Sequence, residues 1–570
     1  MSGGGVPAQP PGVDPPRPPG VGSLRNAAVD HPRTGGVDPP RTVGVAGAGT
    51  MGSGIAQVAC LSGARTLLHD PVSEALDAGL QRIRAQLERG VERGRLGASR
   101  AEQASARLEA APALEDLSDC QLVIEAAPER LELKRELFAR LSDGIVSDDC
   151  VLATNTSSLL VTAIAGAAKR PERVVGMHFF NPPPLMRLLE VVAGEESSEG
   201  ALELARAAGE AMGKHVIIAA DGPGFLVNRC NRPFGLEALK LLEERVAAVA
   251  EIDRICRMAG GFRMGPFELM DLVGVDVGLD VSRSFYAQSF GEPRWRPSPI
   301  AVKTVAAGRL GRKSGRGYYD YSDKSGPPPQ HRPPDPEPLS SGGGDGLIVI
   351  GGSSPLTLAL ADAASDAGWE IAFPEDAQDL RAPFLILDVG FGEDADLPLQ
   401  GGPQAICCAQ GSLAALDPGG SAVGFHALPP LGEASLVELT RGPESTESAA
   451  SAAERFFATI GKHTAWVADA PGLVLGRIVC QVVNEAAFAV AEGVGSAADV
   501  DAGMLHGLNY PRGILAWADQ IGLDHVLAVL DGLYEERRQE RYRASPLLRS
   551  LVMSGRLGRQ TGEGFFPHDP

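Results

Sequence analysis

The sequence of 570 residues predicts an α/β domain followed by an all-α domain, and then a degenerate second copy of both. Three observations predict this fold class. Between residues 41 and 220, short apolar runs alternate with segments of helical periodicity, which is typical of a parallel sheet covered by helices. Residues 221–321 have a predominantly helical pattern. Beyond residue 345 the chain repeats its own motifs, so we expect the same architecture twice.

The composition excludes several classes of protein. A formal net charge of −20 argues against a broad nucleic-acid-binding surface, which needs clustered Lys and Arg. No apolar run approaches the roughly 18 residues that a membrane span requires, and the N-terminus lacks the apolar core of a signal peptide. The eight cysteines have neither metal-type nor redox-type spacing. We therefore expect a cytoplasmic protein without a metal site.

A glycine-rich turn follows the first predicted strand. Gly47, Gly49 and Gly52 have G-x-G-x-x-G spacing, which allows a tight turn, a close approach of the backbone to a pyrophosphate, and close packing of helix on strand. Asp70, at the end of the second predicted strand, would accept hydrogen bonds from an adenosine ribose and favours NAD. A chance glycine turn is the alternative. The residues expected to bind the cofactor here are Gly47, Ala48, Gly49, Thr50, Met51, Gly52 and Asp70.

A histidine and a glutamate flank three consecutive prolines. His178 ends an apolar run, and residues 182–184 prevent a helix, so the chain must turn or run extended. If the second apolar run, residues 185–192, returns beside the first, Glu190 reaches His178. A carboxylate on one imidazole nitrogen fixes the tautomer and raises the basicity of the other nitrogen. The pair is therefore either half of a proton-transfer site or a buried histidine satisfied by its neighbour.

Three further positions have both a functional and an ordinary explanation. Ser157 lies in a polar turn after a predicted strand, at the sheet edge where open parallel sheets bind ligands, but polar turns are common there. Asn228 lies near the start of the long helical region and could simply cap a helix. Arg93 belongs to a helical pattern from Pro71 to about Ala111 that is either a solvated face or a clamp for an anionic substrate tail.

The second half of the chain repeats the first at a constant offset. Residues 424–439 align with residues 176–191 at an offset of 248. Three candidate residues have counterparts at this offset: His426 for His178, Glu438 for Glu190 and Gly476 for Asn228. The second copy lacks G-x-G-x-x-G and is shorter by about 56 residues before its histidine. We predict a tandem duplication whose second copy covers the apolar face of the first helical domain; a second active site is the alternative.

Several motifs now identify a family resemblance. The glycine fingerprint, Asn-Thr-Ser-Ser at 155–158, His-Phe-Phe-Asn-Pro at 178–182 and Pro-Gly-Phe-Leu-Val-Asn-Arg at 223–229 together resemble the L-3-hydroxyacyl-CoA dehydrogenases, whose pattern residues 41–321 cover in order. The resemblance implies a Rossmann-type NAD-binding domain, an all-α C-terminal domain, and NAD-dependent oxidation of an L-3-hydroxyacyl-CoA or the reverse. A complete copy followed by a partial one looks most like the type found in bacterial phenylacetate degradation. The implied substrate is short-chain or dicarboxylic, such as 3-hydroxybutyryl-CoA or 3-hydroxyadipyl-CoA.

The resemblance also implies a role for individual residues. His178 would be the general base that takes the 3-hydroxyl proton as hydride leaves C3, and Glu190 would orient it. Ser157 and Asn228 would hold substrate oxygens as part of the catalytic set, and Arg93 would bind the CoA phosphates. The remaining positions that match the family's dinucleotide contacts are Glu129, Lys134, Asn181 and Lys313.

These patterns divide the chain into six predicted segments. They are a disordered leader at 1–40, the NAD-binding domain at 41–220, a helical substrate or dimerisation-type domain at 221–321, a linker at 322–345, a degenerate Rossmann-like domain at 346–468 and a second helical domain at 469–568. We expect an acyl-CoA substrate, no nucleic-acid or membrane partner, and an internal pseudo-dimer of the two copies, with or without a further homo-oligomer. The alternatives are a catalytically silent NAD and acyl-CoA binding protein, or a related dehydrogenase of a free hydroxy or sugar acid.

Overall fold

The computed structural model describes four stretches of the chain: residues 37–322, 335–374, 382–391 and 402–569. The predicted leader lies outside these stretches except for its last four residues, and so does half of the predicted linker. Within the described stretches, no helix is both long enough and apolar enough to cross a membrane.

The first α/β part is built on an eight-stranded sheet. Its strands are β1 (Thr42–Ala46), β2 (Arg65–His69), β3 (Leu108–Ala111), β4 (Leu122–Glu125), β5 (Val151–Thr154), β6 (Val174–Phe179), β7 (Leu188–Ala193) and β8 (His215–Ala220). Their order is β3-β2-β1-β4-β5-β6-β7-β8, and only the β6–β7 pair is antiparallel. The central strands are buried along their whole length, because helices cover both faces of the sheet. These helices are α1 (Thr50–Ser62), α2 (Ser73–Glu92), α3 (Ala98–Ala106), α4 (Leu131–Arg140), α5 (Val161–Ala165) and α6 (Glu199–Ala211).

The edge strand β3 corrects the sequence prediction, which extended a helical pattern to about Ala111. Residues 108–111 pair in parallel with β2, starting with Leu108 opposite Thr66. Leu108 and Ala111 are buried in this position. A strand of four residues is too short to show an alternating pattern, so the pairing with β2 decides the conformation.

A helical domain follows the first sheet. Its helices are α7 (Val227–Cys230), α8 (Arg232–Glu243), α9 (Val249–Met258), α10 (Pro266–Val273), α11 (Val275–Gln288) and α12 (Pro299–Ala306). The segment after α12 returns to α10, where the carboxylate of Asp271 accepts hydrogen bonds from the backbone N–H groups of Tyr318 and Tyr319, both at 2.9 Å. This contact ties the end of the first copy to its helical domain.

The second copy repeats the first sheet with one strand fewer in its described residues. Its strands are β9 (Leu347–Gly351), β10 (Glu370–Ala372), β11 (Leu385–Asp388), β12 (Gln404–Cys407), β13 (Val423–His426), β14 (Leu436–Arg441) and β15 (His463–Trp466). The order β10-β9-β11-β12-β13-β14-β15 matches that of the first sheet without a described counterpart of β3. Its helices are α13 (Pro355–Asp366), α14 (Leu413–Leu416) and α15 (Glu447–Thr459). The predicted second α/β domain is therefore present.

A second helical domain completes the chain. Its helices are α16 (Leu475–Ala491), α17 (Ala497–Leu508), α18 (Ile514–Ile521), α19 (Leu523–Arg537) and α20 (Pro546–Met553). The carboxylate of Asp519 accepts hydrogen bonds from the N–H groups of Phe565 and Phe566, as Asp271 does from its own chain end. Helix α16 corresponds to α7 and α8 together and is buried along almost its whole length. The predicted fold class, two α/β plus all-α copies, is confirmed.

Backbone hydrogen bonds join the two copies in a reciprocal pattern. The N–H of Ala220 donates to the carbonyl oxygen of Val494, and the N–H of Ala468 donates to the carbonyl oxygen of Val246, both at 2.8 Å. Each residue of one bond is 248 positions from its equivalent in the other. The same contact is therefore made twice, once in each direction.

Two buried ion pairs between the copies are reciprocal in the same way, at the same offset of 248 residues. Nε of Arg229 lies 2.8 Å from Oε1 of Glu485, and Nε of Arg477 lies 2.6 Å from Oε1 of Glu237. All four side chains are buried. A buried guanidinium is costly unless a carboxylate compensates it, so each copy supplies the charge that the other copy needs.

Candidate active site

His178 and Glu190 face each other on the antiparallel strands β6 and β7. The strand register pairs them directly, and the prolines at 182–184 lie in the turn where the chain reverses between the two strands. Nδ1 of His178 lies 2.6 Å from Oε2 of Glu190, and both side chains are buried. An ionised carboxylate only accepts hydrogen bonds, so Nδ1 carries the proton and Nε2 is left as an acceptor.

The other carboxylate oxygen of Glu190 is held by the backbone. The N–H of Val227 donates to Oε1 at 2.9 Å, and the N–H of Leu226 donates to it at 3.2 Å. These residues begin α7, where backbone N–H groups lack partners within the helix. The glutamate is therefore fixed from both sides, and it fixes the orientation of the imidazole.

Asn228 and Ser157 present free polar side chains. Asn228 lies inside α7, directly after Val227, and caps neither α7 nor α8, whose N-cap residues are Leu226 and Asn231. Ser157 lies in the turn after β5, and its backbone N–H donates to Glu129. Within the described ranges, neither the Asn228 amide nor the Ser157 hydroxyl is engaged by another residue, so both are available to a ligand.

Glu129 and Lys134 stand behind the Ser157 turn. Oε1 of Glu129 accepts hydrogen bonds from the Thr156 hydroxyl at 2.6 Å and from the Ser157 N–H at 3.0 Å. Burial raises the pKa of Glu129, but the charge of Lys134 and these hydrogen bonds outweigh it and lower the pKa overall. Nζ of Lys134 is buried 2.6 Å from Glu125 and 3.3 Å from Glu129. The charge of Lys134 is therefore compensated by these two carboxylates, and through Glu129 the residue supports the turn that contains Ser157.

The glycine loop leaves an open approach to the first turn of α1. Gly47 has a φ of +115°, and a Cβ atom on Gly52 would overlap the carbonyl oxygen of Gly47. A Cβ atom on Gly49 would meet nothing within 4 Å, so the loop is open at that point. Gly49 is also the N-cap of α1 and provides no capping side chain, so the N–H groups of Thr50 and Met51 are free to bind an anion. These features fit the pyrophosphate of a dinucleotide.

Asp70 links the second strand to the glycine loop. Its Oδ2 accepts a hydrogen bond from the Ala48 N–H at 2.9 Å, and its Oδ1 accepts one from the Val72 N–H at 3.0 Å. Sequence reasoning missed Arg82, which donates from α2 to the carbonyl oxygen of Ala48 and to the Ser53 hydroxyl. An arginine within an amphipathic helix carries no sequence signal for such a contact.

The remaining predicted site residues are exposed or partly exposed. Arg93 is exposed at the end of α2. Asn181 is exposed at the start of the turn between β6 and β7. Lys313 belongs to the helical domain, and its Nζ lies 2.6 Å from Oδ1 of Asp276. The structure therefore joins His178 and Glu190 by a hydrogen bond, and none of these three residues is bonded to that pair in the described stretches.

Two family models match the chain. The model of the 3-hydroxyacyl-CoA dehydrogenase NAD binding domain matches residues 42–222, and that of the C-terminal domain matches residues 224–321 and 472–568. The chain belongs to the 3-hydroxyacyl-CoA dehydrogenase family. It is an oxidoreductase that acts on a CH–OH group with NAD as its cofactor, as the sequence predicts.

Relatives of this dehydrogenase match one copy or both. A 3-hydroxyadipyl-CoA dehydrogenase of Escherichia coli (strain K12) is 35% identical over 523 residues, which are 89% of this chain and 97% of the relative. A probable 3-hydroxybutyryl-CoA dehydrogenase of Bacillus subtilis (strain 168) is 40% identical over 280 residues, 49% of this chain and 97% of the relative. The crystal structure of a 3-hydroxybutyryl-CoA dehydrogenase from Escherichia coli K12 has a TM-score of 0.75 at 35% identity and covers 90% of this chain and 99% of its own.

The second copy of the dehydrogenase keeps the strand register but not the hydrogen bond. His426 and Glu438 face each other on β13 and β14 as His178 and Glu190 do. Nε2 of His426 instead lies 3.1 Å from Nε2 of His525. Both oxygens of Glu438 accept from backbone N–H groups, those of Val474 at 2.7 Å and Leu475 at 2.9 Å.

A single glycine explains the different orientation of the second histidine. A Cβ atom on Gly476 would overlap the ring of His426, so the imidazole fills the space that the side chain of Asn228 has in the first copy. Burial lowers the pKa of His426 well below its usual range and lowers that of His525 to about 4. Burial also raises the pKa of Glu438 to about 8. The second copy therefore buries a neutral histidine and a neutral carboxyl where the first copy pairs His178 with Glu190 by a hydrogen bond.

The second copy also differs at the start of the helix that corresponds to α1. Helix α13 follows Ser354, whose side chain accepts a hydrogen bond from the N–H of Thr357. Its first residue is Pro355, which has no N–H. The first turn of α13 therefore has fewer free N–H groups than the first turn of α1. This arrangement does not fit a bound pyrophosphate.

Proposed function

We propose that the dehydrogenase has one active site, in the first copy, with His178 as the general base. The supporting observation is the 2.6 Å contact between Nδ1 of His178 and Oε2 of Glu190, together with the two backbone N–H groups that hold Oε1. Nε2 takes the proton of the substrate 3-hydroxyl, and Glu190 balances the charge of the imidazolium that forms. In the reverse direction the imidazolium returns this proton to the ketone oxygen.

NAD, when bound, supplies the acceptor for the hydride that leaves C3. We assign its pyrophosphate to the loop from Gly47 to Gly52 and its adenosine ribose to Asp70. Asn181, Glu129 and Lys313 are proposed contacts on the nicotinamide side. Lys134 then acts through Glu129, because its Nζ is buried against that carboxylate and Glu125.

The substrate is proposed to approach the free polar groups near His178. The Asn228 amide and the Ser157 hydroxyl can hold the substrate oxygens, because no described residue engages them. Arg93 is proposed to contact the CoA phosphates, and its exposed position on α2 leaves its guanidinium free to do so. The names of the relatives support a short-chain or dicarboxylic substrate such as 3-hydroxybutyryl-CoA or 3-hydroxyadipyl-CoA.

The second copy is proposed to act as an internal pseudo-subunit, so that the chain carries its own dimer contact. Two of its glycines pack on the residues that hold Glu190. A Cβ atom on Gly495 would lie 2.5 Å from Leu226, and one on Gly503 would lie 2.5 Å from Val227. The second copy therefore braces the backbone N–H groups that orient the catalytic pair.

This bracing contact is specific to the active copy. The reciprocal positions of the first copy carry Ala247 and Ile255, which have side chains. Neither Gly495 nor Gly503 has a positive φ, so the backbone does not require glycine there. Close approach to the active copy is the remaining physical reason for glycine at these positions.

Steady-state kinetics test the proposed function. The purified protein should oxidise NADH in the presence of acetoacetyl-CoA but not in the presence of free acetoacetate. Arg93→Ala should raise KM for acetoacetyl-CoA roughly tenfold with little change in kcat, because it removes a charge-assisted contact to the CoA phosphates. Binding of NADH without turnover, or equal activity on the free acid, would refute the proposed reaction.

A further inference from the structure

Arg232 is an arginine without an acidic partner beside the proposed substrate site. It is the first residue of α8 and lies one helical turn after Asn228. Its Nε donates to the carbonyl oxygen of Asn228 at 3.2 Å, and its guanidinium carbon lies 5.2 Å from the centre of the Phe285 ring. The side chain is half-buried, and within the described ranges no residue accepts a hydrogen bond from its Nη groups.

The lack of a carboxylate at Arg232 contrasts with its neighbours in space. Arg229, three residues earlier, pairs with Glu485 at 2.8 Å and with Glu492 at 2.7 Å. Arg294 pairs with Glu485 as well. Within the described ranges no carboxylate forms an ion pair with Arg232, and burial lowers its pKa to about 10. A guanidinium that is removed from water without a counter-ion is destabilising, so a bound anion would satisfy it.

The second copy shows that the fold does not require this arginine. The counterpart of Arg232 is Cys480, which is fully buried in α16. The counterpart of Asn228 is Gly476, in the same helix. The second copy, which is proposed to have no active site, therefore lacks both the asparagine and the arginine.

We propose that Arg232 binds a carboxylate at the far end of the acyl chain, so that the preferred substrate is a dicarboxylic 3-hydroxyacyl-CoA. This proposal rests on the proposed function, which places C3 between His178 and Asn228. Asn228 and Arg232 are four residues apart, about 6 Å along a helix axis at a rise of ~1.5 Å per residue. In a six-carbon dicarboxylic chain the distal carboxyl carbon lies ~4 Å from C3, since each bond is ~1.5 Å long. The two distances allow both ends of such a chain to be held at once.

The residue type suits a carboxylate. A guanidinium presents a planar fork of N–H groups that matches a carboxylate with two parallel hydrogen bonds. The buried ring of Phe285 covers one side of the guanidinium and shields it from water, which strengthens such an ion pair. Phosphates of CoA or NAD are other anions that could reach it, but they are common to every substrate of the enzyme.

The substrate preference of Arg232→Met tests the proposal. The full-length protein is assayed with NADH and either 3-oxoadipyl-CoA or acetoacetyl-CoA, and the ratio of the two kcat/KM values is compared between variants. The wild-type ratio should favour 3-oxoadipyl-CoA, and Arg232→Met should lower the ratio by ~10²-fold, as for a site that loses a hydrogen-bonded charge partner. Arg283→Met, which removes an exposed arginine of α11 paired with Asp280, should leave the ratio at the wild-type value.

The same measurements identify each kind of failure. A wild type without preference, an unchanged ratio in Arg232→Met, or an equal fall for both substrates would overturn the carboxylate assignment; an equal fall would indicate a phosphate contact or a structural role. A wild type inactive on both substrates would refute the proposed function instead. If Arg232→Met does not bind NADH, the same ratio is measured for Arg232→Cys, because α16 accommodates cysteine at the equivalent position.

Discussion

Gly503 of the second copy packs against Val227 of the first so closely that a Cβ atom on Gly503 would lie 2.5 Å from Cγ2 of Val227. The backbone N–H of Val227 donates to Glu190, which orients His178. Three contacts therefore connect a helix of the second copy to the proposed general base. This relationship gives the second copy a role that can be measured in kinetics.

Gly503→Ala should lower kcat by roughly tenfold without changing KM for NADH. The added methyl group displaces Val227 and with it the hydrogen bond to Glu190, so Gly503 acts as a positioning residue. The primary isotope effect with NADH deuterated at the transferred hydrogen should rise, because the chemical step becomes slower.

The matched control is Ala259→Val, at the position reciprocal to Gly507, directly after Met258, whose carbonyl oxygen accepts a hydrogen bond from the Ser435 N–H of the second copy. Its kcat should remain within about twofold of wild type even if its melting temperature falls as much as that of Gly503→Ala. Val227→Ala in the Gly503→Ala background should restore kcat by making room for the methyl group. Equal kcat losses in both single variants would refute the positioning role.

Deletion of residues 345–570 should convert the remaining part into a dimer or an aggregate. The deletion exposes the apolar side of α8 and leaves Arg229 and Glu237 without their buried partners. Because the contacts between the copies are reciprocal, Arg229 of one molecule can pair with Glu237 of another. Light scattering coupled to size-exclusion chromatography measures the outcome, and Arg229→Glu in the truncated protein should prevent the dimer. A fully active monomer would contradict the pseudo-subunit proposal.

The buried His426–His525 pair should make the second copy sensitive to acid. Burial lowers the pKa of His525 from 6.5 to about 4 and that of His426 well below 6.5, so between these values the unfolded chain binds protons that the folded chain does not. As the pH is lowered through this range, the free energy of unfolding decreases by roughly 1.4 kcal/mol per pH unit for each histidine. Glu438, with its pKa raised to about 8, acts in the opposite direction between pH 8 and 4.5 and offsets one of the two.

Substitution of His525 isolates this effect. His525→Val introduces the residue type found at the first-copy counterpart, Val277, and removes one titrating group. Thermal unfolding of wild type should lose more stability between pH 6.5 and 4.5 than that of the variant. Parallel pH profiles for the two proteins would mean that the histidine pair does not titrate as proposed.

The sequence predicted the parts of the site that depend on local pattern. The glycine spacing predicted the cofactor loop, and the three prolines between His178 and Glu190 predicted their pairing, because a proline turn between two apolar runs leaves few arrangements. The strand at residues 108–111 was mispredicted as helix, since its conformation depends on pairing with β2. The short strand has no periodicity of its own.

Other features depend on contacts between distant parts of the chain and have no local pattern. The offset of 248 identified His426, but its orientation depends on the space at Gly476 and on His525, 99 residues away. Arg232 was not selected because its significance lies in the lack of a neighbouring carboxylate, which only the folded structure shows. Arg82 was missed for a similar reason, since its partners, the Ala48 carbonyl oxygen and the Ser53 hydroxyl, lie about 30 residues away in the sequence.

The most direct test of a single active site compares two substitutions at equivalent histidines. His178→Gln should lower kcat for acetoacetyl-CoA reduction by ~10³-fold or more while NADH still binds, because it removes the proton-transfer group and leaves the glycine loop intact. His426→Gln, measured in the same assay, should keep kcat within about twofold of wild type. Comparable losses from the two substitutions would contradict the account.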